Sequence, residues 1–213
     1  MKQKKALITG GSGGIANAIR EDLELLGYEV FSPGRSELDV SNPASVESYF
    51  SREEIFDVVI NNAGEIYVKP LCDSEVDLWE NVINTNLFGS YRIARRSLIN
   101  NKDAVIINIS SMSAYQYFKD FSAYASSKSA IVAMTKCWAQ EGLKAYSICP
   151  GSVNTKFRSK LRKNIGKSSE SHLDDPDMLR PEDISKIVLD ILEDKYANGS
   201  SILIRKNDIF EVR

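Results

Sequence analysis

A single histidine, His172, occurs in the 213 residues, and the three cysteines, Cys72, Cys137 and Cys149, are odd in number and far apart. A histidine without ligand companions makes no metal site. Scattered thiols make neither a disulfide framework nor a metal cluster, and they suit a reducing, cytoplasmic setting. An excess of one charge is also missing: 27 Lys+Arg against 29 Asp+Glu leave a net charge of −2. That excludes nucleic-acid binding driven by a basic surface. The apolar runs are short, as at 104–107, so none spans a bilayer. Residues 1–5 are basic, but too few apolar residues follow for a signal peptide.

What is present is a globular composition, 43% hydrophobic and 26% charged, at a length that suits one domain, 1–213, with no linker or repeat. Continuous apolar runs at 6–8, 58–60, 104–109, 145–148 and 202–204 predict strands buried on both faces. Between them lie stripes with helical spacing. One runs Ile15, Ile19, Leu23 and Leu26 and stops at Gly27; others cover about 74–100, 121–139 and 184–192, the last opened by Pro181. Strands alternating with helices predict an α/β fold: a doubly wound, parallel Rossmann-like sheet with helices on both faces. The polar stretch 166–178 is predicted to be a loop.

The first strand runs into Thr9-Gly10-Gly11-Ser12-Gly13-Gly14-Ile15, and a helix follows at once. Glycines let backbone N–H groups approach a pyrophosphate, and the positive helix end favours the anion. After the second strand the chain reads Ser32-Pro33-Gly34-Arg35-Ser36, with no acid before Glu37. An acid there would bind a ribose 2′-hydroxyl. Arg35, with the hydroxyls of Ser32 and Ser36, can hold a 2′-phosphate instead, which favours NADP(H) over NAD(H). Tyr124 and Lys128 stand at i and i+4, on one helix face, where an ammonium is expected to lower the phenol's pKa and fit it for proton transfer.

These motifs resemble those of the short-chain dehydrogenases/reductases. Thr9, Gly10 and Gly14 match the family's glycine-rich turn, with Ala16 in place of its last glycine. Asn61-Asn62-Ala63-Gly64, Asn86, Ser110-Ser111, Tyr124-x-x-x-Lys128 and Cys149-Pro150-Gly151 follow in family order and spacing, from Ala6 to about Ile204. The resemblance implies six or seven strands in the order 3-2-1-4-5-6-7, shortened between strands 2 and 3, since Phe31 and Asp39 are too close for a crossover helix. It makes Tyr124 the acid/base, Lys128 its partner on the nicotinamide ribose, and Ser111, with Ser110 as rival, the group that orients the substrate. Asn86 supports a proton-relay water. The cofactor is held by Thr9, Gly10, Ser12, Gly13, Gly14, Ile15 and Arg35, by Asp39, Val40, Asn62, Ala63 and Gly64 around the adenosine, and by Pro150, Gly151, Val153 and Thr155 at the nicotinamide.

The activity implied is hydride transfer between a nicotinamide and a small carbonyl/alcohol substrate, with NADPH-dependent reduction favoured. A sugar-nucleotide or sugar-phosphate epimerase or dehydratase, and a non-catalytic NAD(P)-binding regulator, are the alternatives. The segment 156–167 carries six positive charges and no acid, with Phe157, Leu161 and Ile165 on one helical stripe. It is read either as a solvated face or as part of a substrate lid, about 155–180, selecting sugar phosphates, polyol phosphates or carboxylates. The helices at about 74–100 and 121–143 are the family's pairing elements and predict a homodimer or homotetramer. Cys137 and Cys149 are expected to be buried packing residues.

Overall fold

The computed structural model describes residues 3–51, 54–157, 178–206 and 208–213. The strands are β1 Lys5–Ile8, β2 Glu29–Phe31, β3 Val58–Asn61, β4 Val105–Ile109, β5 Ala145–Pro150, β6 Ser201–Arg205 and β7 Asp208–Val212. They form one seven-stranded sheet in the order β2-β1-β3-β4-β5-β6-β7. The first six pair in parallel and β7 pairs antiparallel to β6.

The continuous apolar runs follow from burial on two faces. Ala6, Ile8, Ile60, Ile107 and Ile148 pack on one side, against α1 (Gly14–Leu25) and α6 (Pro181–Leu192). Leu7, Val59 and Ile106 point to the other, against α2 (Pro43–Phe50) and α4 (Gly89–Asn100). The long helix expected at 74–100 is α3 (Val76–Ile83) joined to α4 by a π-helical turn, Asn84–Phe88. Helix α5 spans Ser122–Gln140. The sheet winds outward in opposite directions from β1 and β3, and between their carboxyl ends lies the crevice where doubly wound sheets take ligands.

The fold class and the strand count match the expectation, and the order differs at one margin. No strand precedes Asp39, so β2 is the edge. The amides of Glu37 and Leu38 bond instead to the Gly34 carbonyl, both at 3.0 Å, and Leu38 and Val40 turn inward to the core. The crossover helix is absent there, as expected. Chain continues into α2, capped by Asn42, whose Oδ1 accepts from the amides of Ala44 and Ser45 at 2.9 and 3.3 Å. At the far margin β7 supplies the seventh strand.

An aromatic cluster fills the space below this short edge. Phe56 meets Phe31 at 5.4 Å and Phe50 at 6.0 Å between ring centroids, both edge-on, and Phe56 is 1% exposed. Replacing it leaves a cavity that the three elements sharing the cluster cannot close. Phe56→Ala is expected to lower the unfolding free energy by about 3–5 kcal/mol in urea denaturation. A loss below about 1 kcal/mol would mean that the edge does not rest on this cluster.

Candidate active site

The glycine-rich turn is shaped by contacts that exclude side chains. Gly10 has φ +70°, and a Cβ on Gly11 would lie 2.0 Å from the Ser32 carbonyl oxygen. Thr9 lies beneath the turn, 1% exposed. Its Oγ1 accepts from the amides of Asn62 and Ala63 at 3.1 and 3.0 Å. Asn62 returns the link, donating from Nδ2 to the Thr9 carbonyl at 2.9 Å. Helix α1 then starts at Gly14 with neither a side-chain cap nor an acid in its first turn. Its N-terminal amides can therefore receive an anion without competition from a capping side chain. Ala16 is fully buried in the core, which is where a small residue is needed.

A cleft of about 1130 Å³ runs from this turn across the carboxyl ends of the strands. Of the expected site residues it is lined by Gly10, Ser12, Gly13, Gly14, Ile15, Arg35, Asp39, Val40, Asn62, Ala63, Gly64, Ser111, Tyr124, Lys128, Pro150, Gly151, Val153 and Thr155. Thr9 and Asn86 are not in the lining. The unfilled turn, the uncapped helix end and the length of the cleft fit a nicotinamide dinucleotide. Two details differ from expectation. The Ser32 hydroxyl is buried under Gly11 with no partner and is not among the lining groups. Arg35 is already engaged, by Asp39 at 3.4 Å and Glu65 at 3.1 Å.

Ser111, Tyr124 and Lys128 come together along β4 and α5. Ser111 caps a short 3-10 turn, and its Oγ accepts from the Ser113 amide at 3.1 Å. Ser110, the rival, has its hydroxyl turned to the Lys128 carbonyl at 2.9 Å, so it braces the helix. Lys128 is 5% exposed. Its Nζ donates to the Ile109 carbonyl at 2.8 Å and lies 5.6 Å from the centre of the Tyr124 ring. Burial lowers the Lys128 pKa to about 8. Burial also pushes the Tyr124 phenol up to about 12, against the lowering effect of its hydrogen bond with Ser111. The expected depression of the phenol by the ammonium is therefore not found in this state: desolvation is the larger effect.

Asn86 occupies the π-helical turn, fully buried. Its Oδ1 accepts from the Glu65 amide at 2.8 Å, and its Nδ2 donates to the Glu65 carbonyl at 3.0 Å and to Ser127 Oγ at 2.9 Å. Ser127 Oγ in turn donates to the Tyr124 carbonyl at 2.8 Å. Below the cleft, Asn61 Nδ2 donates to Asn108 Oδ1 at 2.8 Å, and Asn108 Nδ2 to Thr135 Oγ1 at 2.9 Å. Sequence reasoning missed the roles of Glu65, Ser127, Asn108 and Thr135; Asn61, just after one apolar run, and Asn108, inside another, were the available signal. It also missed Arg205, Lys206 and Asp208 at the β6–β7 turn, which line the cleft. Phe157 stands 6.5 Å from the Tyr124 ring. Residues 158–177 of the expected lid, including Arg158, Arg162 and His172, lie outside the described residues. Cys149 is buried as expected, whereas Cys137 is exposed on the outer side of α5.

The family model described as short chain dehydrogenase matches residues 35–166. A curated relative, an uncharacterised oxidoreductase of Staphylococcus aureus (strain USA300), is 28% identical over 236 residues, covering 96% of this chain and 98% of its own. The alignment is longer than this chain, so the relative carries residues this chain lacks. Among solved structures, a small-chain dehydrogenase in complex with NADPH superposes with a TM-score of 0.83 at 24% identity, over 95% of this chain and 97% of its own. A serine dehydrogenase complexed with NADP+ gives a TM-score of 0.83 at 22% identity, over 94% of each chain.

The buried ammonium predicts a pH dependence of stability. Below about pH 8 Lys128 is charged in both the folded and unfolded states, and its desolvation cost is carried in full. Between about 8 and the ordinary value of 10.5 the folded state loses the proton first, so this contribution to stability rises with pH. Lys128→Met is expected to be more stable than the parent at pH 7 by about 1–2 kcal/mol, the difference shrinking towards pH 10. Urea denaturation at both pH values checks this. A variant no more stable at pH 7, or a difference independent of pH, would contradict the burial cost.

Proposed function

The chain belongs to the short-chain dehydrogenase/reductase family, and from that premise we propose that this NAD(P)-dependent oxidoreductase reduces the carbonyl group of a small anionic substrate with NADPH. The observation that carries this reading is the convergence of Ser111, Tyr124 and Lys128 on the cleft that begins at the glycine-rich turn. The turn from Gly10 to Ile15 receives the pyrophosphate. Asp39, Val40, Asn62, Ala63 and Gly64 surround the adenosine, and Pro150, Gly151, Val153 and Thr155 face the nicotinamide. When bound, that cofactor supplies the hydride.

The chain's own residues do the rest. Ser111 Oγ donates a hydrogen bond to the substrate carbonyl oxygen and fixes its position. Tyr124, whose raised pKa keeps the phenol protonated near neutrality, passes its proton to that oxygen. A protonated acid at the start of the reaction supports the reducing direction. Lys128, fixed by the Ile109 carbonyl, stands by the Tyr124 ring to favour the phenolate that results. Asn86 acts from beneath, holding the Glu65 peptide and, through Ser127, the first turn of α5.

Three cations support an anionic substrate. Lys156, Arg205 and Lys206 line the cleft, with Asp208 the acid on the same hairpin. Positive lining also disfavours the cationic, oxidised nicotinamide against its neutral reduced form, which again supports reduction. For cofactor choice, Arg35 is the cation at the Asp39 end of the cleft, and the similar small-chain dehydrogenase structure is a complex with NADPH. Phe88, Tyr91 and Ile99 stay exposed on the π turn and α4, which supports pairing of that face in a homodimer or homotetramer. No helix among the described residues is long and apolar enough to cross a membrane, and the three free cysteines suit a reducing cytoplasm.

Tyr124→Phe removes only the hydroxyl. It is expected to lower turnover of NADPH against a panel of aldehydes, ketones and keto acids by about 10²–10⁴-fold, with NADPH binding kept within a few fold. Substantial residual turnover would remove Tyr124 from its role. Tyr91→Glu places a charge on the exposed α4 face and is expected to shift the protein towards monomer in sedimentation velocity. An unchanged sedimentation coefficient would free that face from assembly.

A further inference from the structure

Arg35 sits in the turn after β2, where the crossover helix is absent, and its guanidinium reaches two carboxylates across the mouth of the cleft. Nε lies 3.4 Å from Asp39 Oδ2, and Nη1 lies 3.1 Å from Glu65 Oε1. All three residues line the cleft. The two acids are held differently. Asp39 belongs to the turn itself: its Oδ1 accepts from the Ser41 amide and hydroxyl at 3.0 and 2.6 Å. Burial works to raise its pKa, but the Ser41 hydrogen bonds and the charge of Arg35 bring it below the ordinary carboxylate value. Glu65 comes from the opposite wall, after β3, and its peptide is gripped on both sides by Asn86. One cation between two carboxylates leaves this rim at a net charge of −1, and the hydroxyl of Ser32 is buried elsewhere.

We propose that Glu65 sets the cofactor preference of this enzyme by competing with a ribose 2′-phosphate for Arg35. The inference rests on the reading that this end of the cleft receives the adenosine ribose. A 2′-phosphate carries a charge of about −1.5 to −2 at pH 7. It gains from Arg35 only as far as the guanidinium is released by its carboxylates, and it is repelled by whichever carboxylate stays. A cofactor with a free 2′-hydroxyl needs no such release and is nearly indifferent to the acid. Asp39 is tied into the turn backbone, so Glu65, tied only through its own peptide, is the adjustable competitor. NADP(H) is accommodated, and the margin over NAD(H) is held down by Glu65.

The test is fluorescence titration of NADPH and NADH into the wild type, Glu65→Gln, Arg35→Gln and the double variant. Displacement of NADPH by adenosine 2′,5′-bisphosphate and by ADP reads the adenosine end without catalysis. Glu65→Gln is expected to tighten NADPH and the 2′,5′-bisphosphate by about 3- to 5-fold, the scale of one exposed ion pair. NADH and ADP should stay within twofold, and the double variant should lose the gain. Equal effects on both cofactors, or a gain that survives loss of Arg35, would overturn the proposal alone. A parallel weakening of both would make the pair a clasp over the cofactor and overturn it too. If neither cofactor binds any of the four proteins, the oxidoreductase reading falls as well, and the absence of any measurable affinity distinguishes that case.

Discussion

A lysine ammonium taken out of water beside a phenol is the constraint around which the rest is arranged. Among the described residues the Lys128 ammonium has one hydrogen-bond partner, the Ile109 carbonyl at the end of β4, and a buried charge is costly unless it is paired or well hydrogen-bonded. Helix α5 is fixed to β4 at three heights. Ser110 Oγ donates to the Lys128 carbonyl, Lys128 Nζ to the Ile109 carbonyl, and Asn108 Nδ2 to Thr135 Oγ1. Asn61, paired in register with Asn108, extends this polar seam into β3. The seam crosses the middle of the sheet, and it sets the height at which Tyr124 and Lys128 emerge into the cleft.

The π-helical turn performs the same service from the other side. A π turn inserts one residue into a helix and alters which side chain points inward. Here Thr85 and Asn86 are turned into the protein while Phe88 is left exposed. Asn86 then satisfies both polar groups of the Glu65 peptide and reaches Ser127, which holds the carbonyl of Tyr124. The loop after β3 and the first turn of α5 therefore share one buried amide. With its side-chain oxygen and nitrogen both engaged, Asn86 is a brace more than a lining group, and its absence from the cleft wall has this cause.

Much of this was legible in the sequence because the signals are local. Unbroken apolar runs mean strands covered on both faces, and α6 starts at its proline. The glycine turn was legible from its context of strand before and helix after. What was not legible depends on distant partners or on water. Arg35 and Glu65 are far apart in the chain, so nothing at Arg35 announced that a second carboxylate, besides nearby Asp39, would reach it. The spacing of Tyr124 and Lys128 gives their shared face but not the desolvation that decides which way the phenol titrates. Strand β7 has exposed residues at Asp208, Ile209, Phe210 and Glu211, so it carries no burial pattern to read. Helix α2 was the recoverable omission, since Asn42 followed by Pro43 is a start signal.

The cleft divides into a centre that the sheet makes rigid and two rims that it does not. The reacting groups are carried by β4, α5 and the π turn, all tied into the polar seam. Most of the charged groups that would choose between ligands lie outside that seam: Arg35 and Asp39 on the turn after β2, Arg205 and Lys206 on the β6–β7 hairpin; the exception is Glu65, whose peptide Asn86 holds. Turns and hairpins can change charge without moving the sheet, because few of their side chains are in the core. The missing crossover helix and the antiparallel last strand fall on these same rims. A residue lost from the seam would displace Tyr124 and Lys128 together, whereas one changed on a rim alters only what is admitted. The short chain is thus economical where geometry is tolerant, and complete where an ammonium has to be buried beside a phenol.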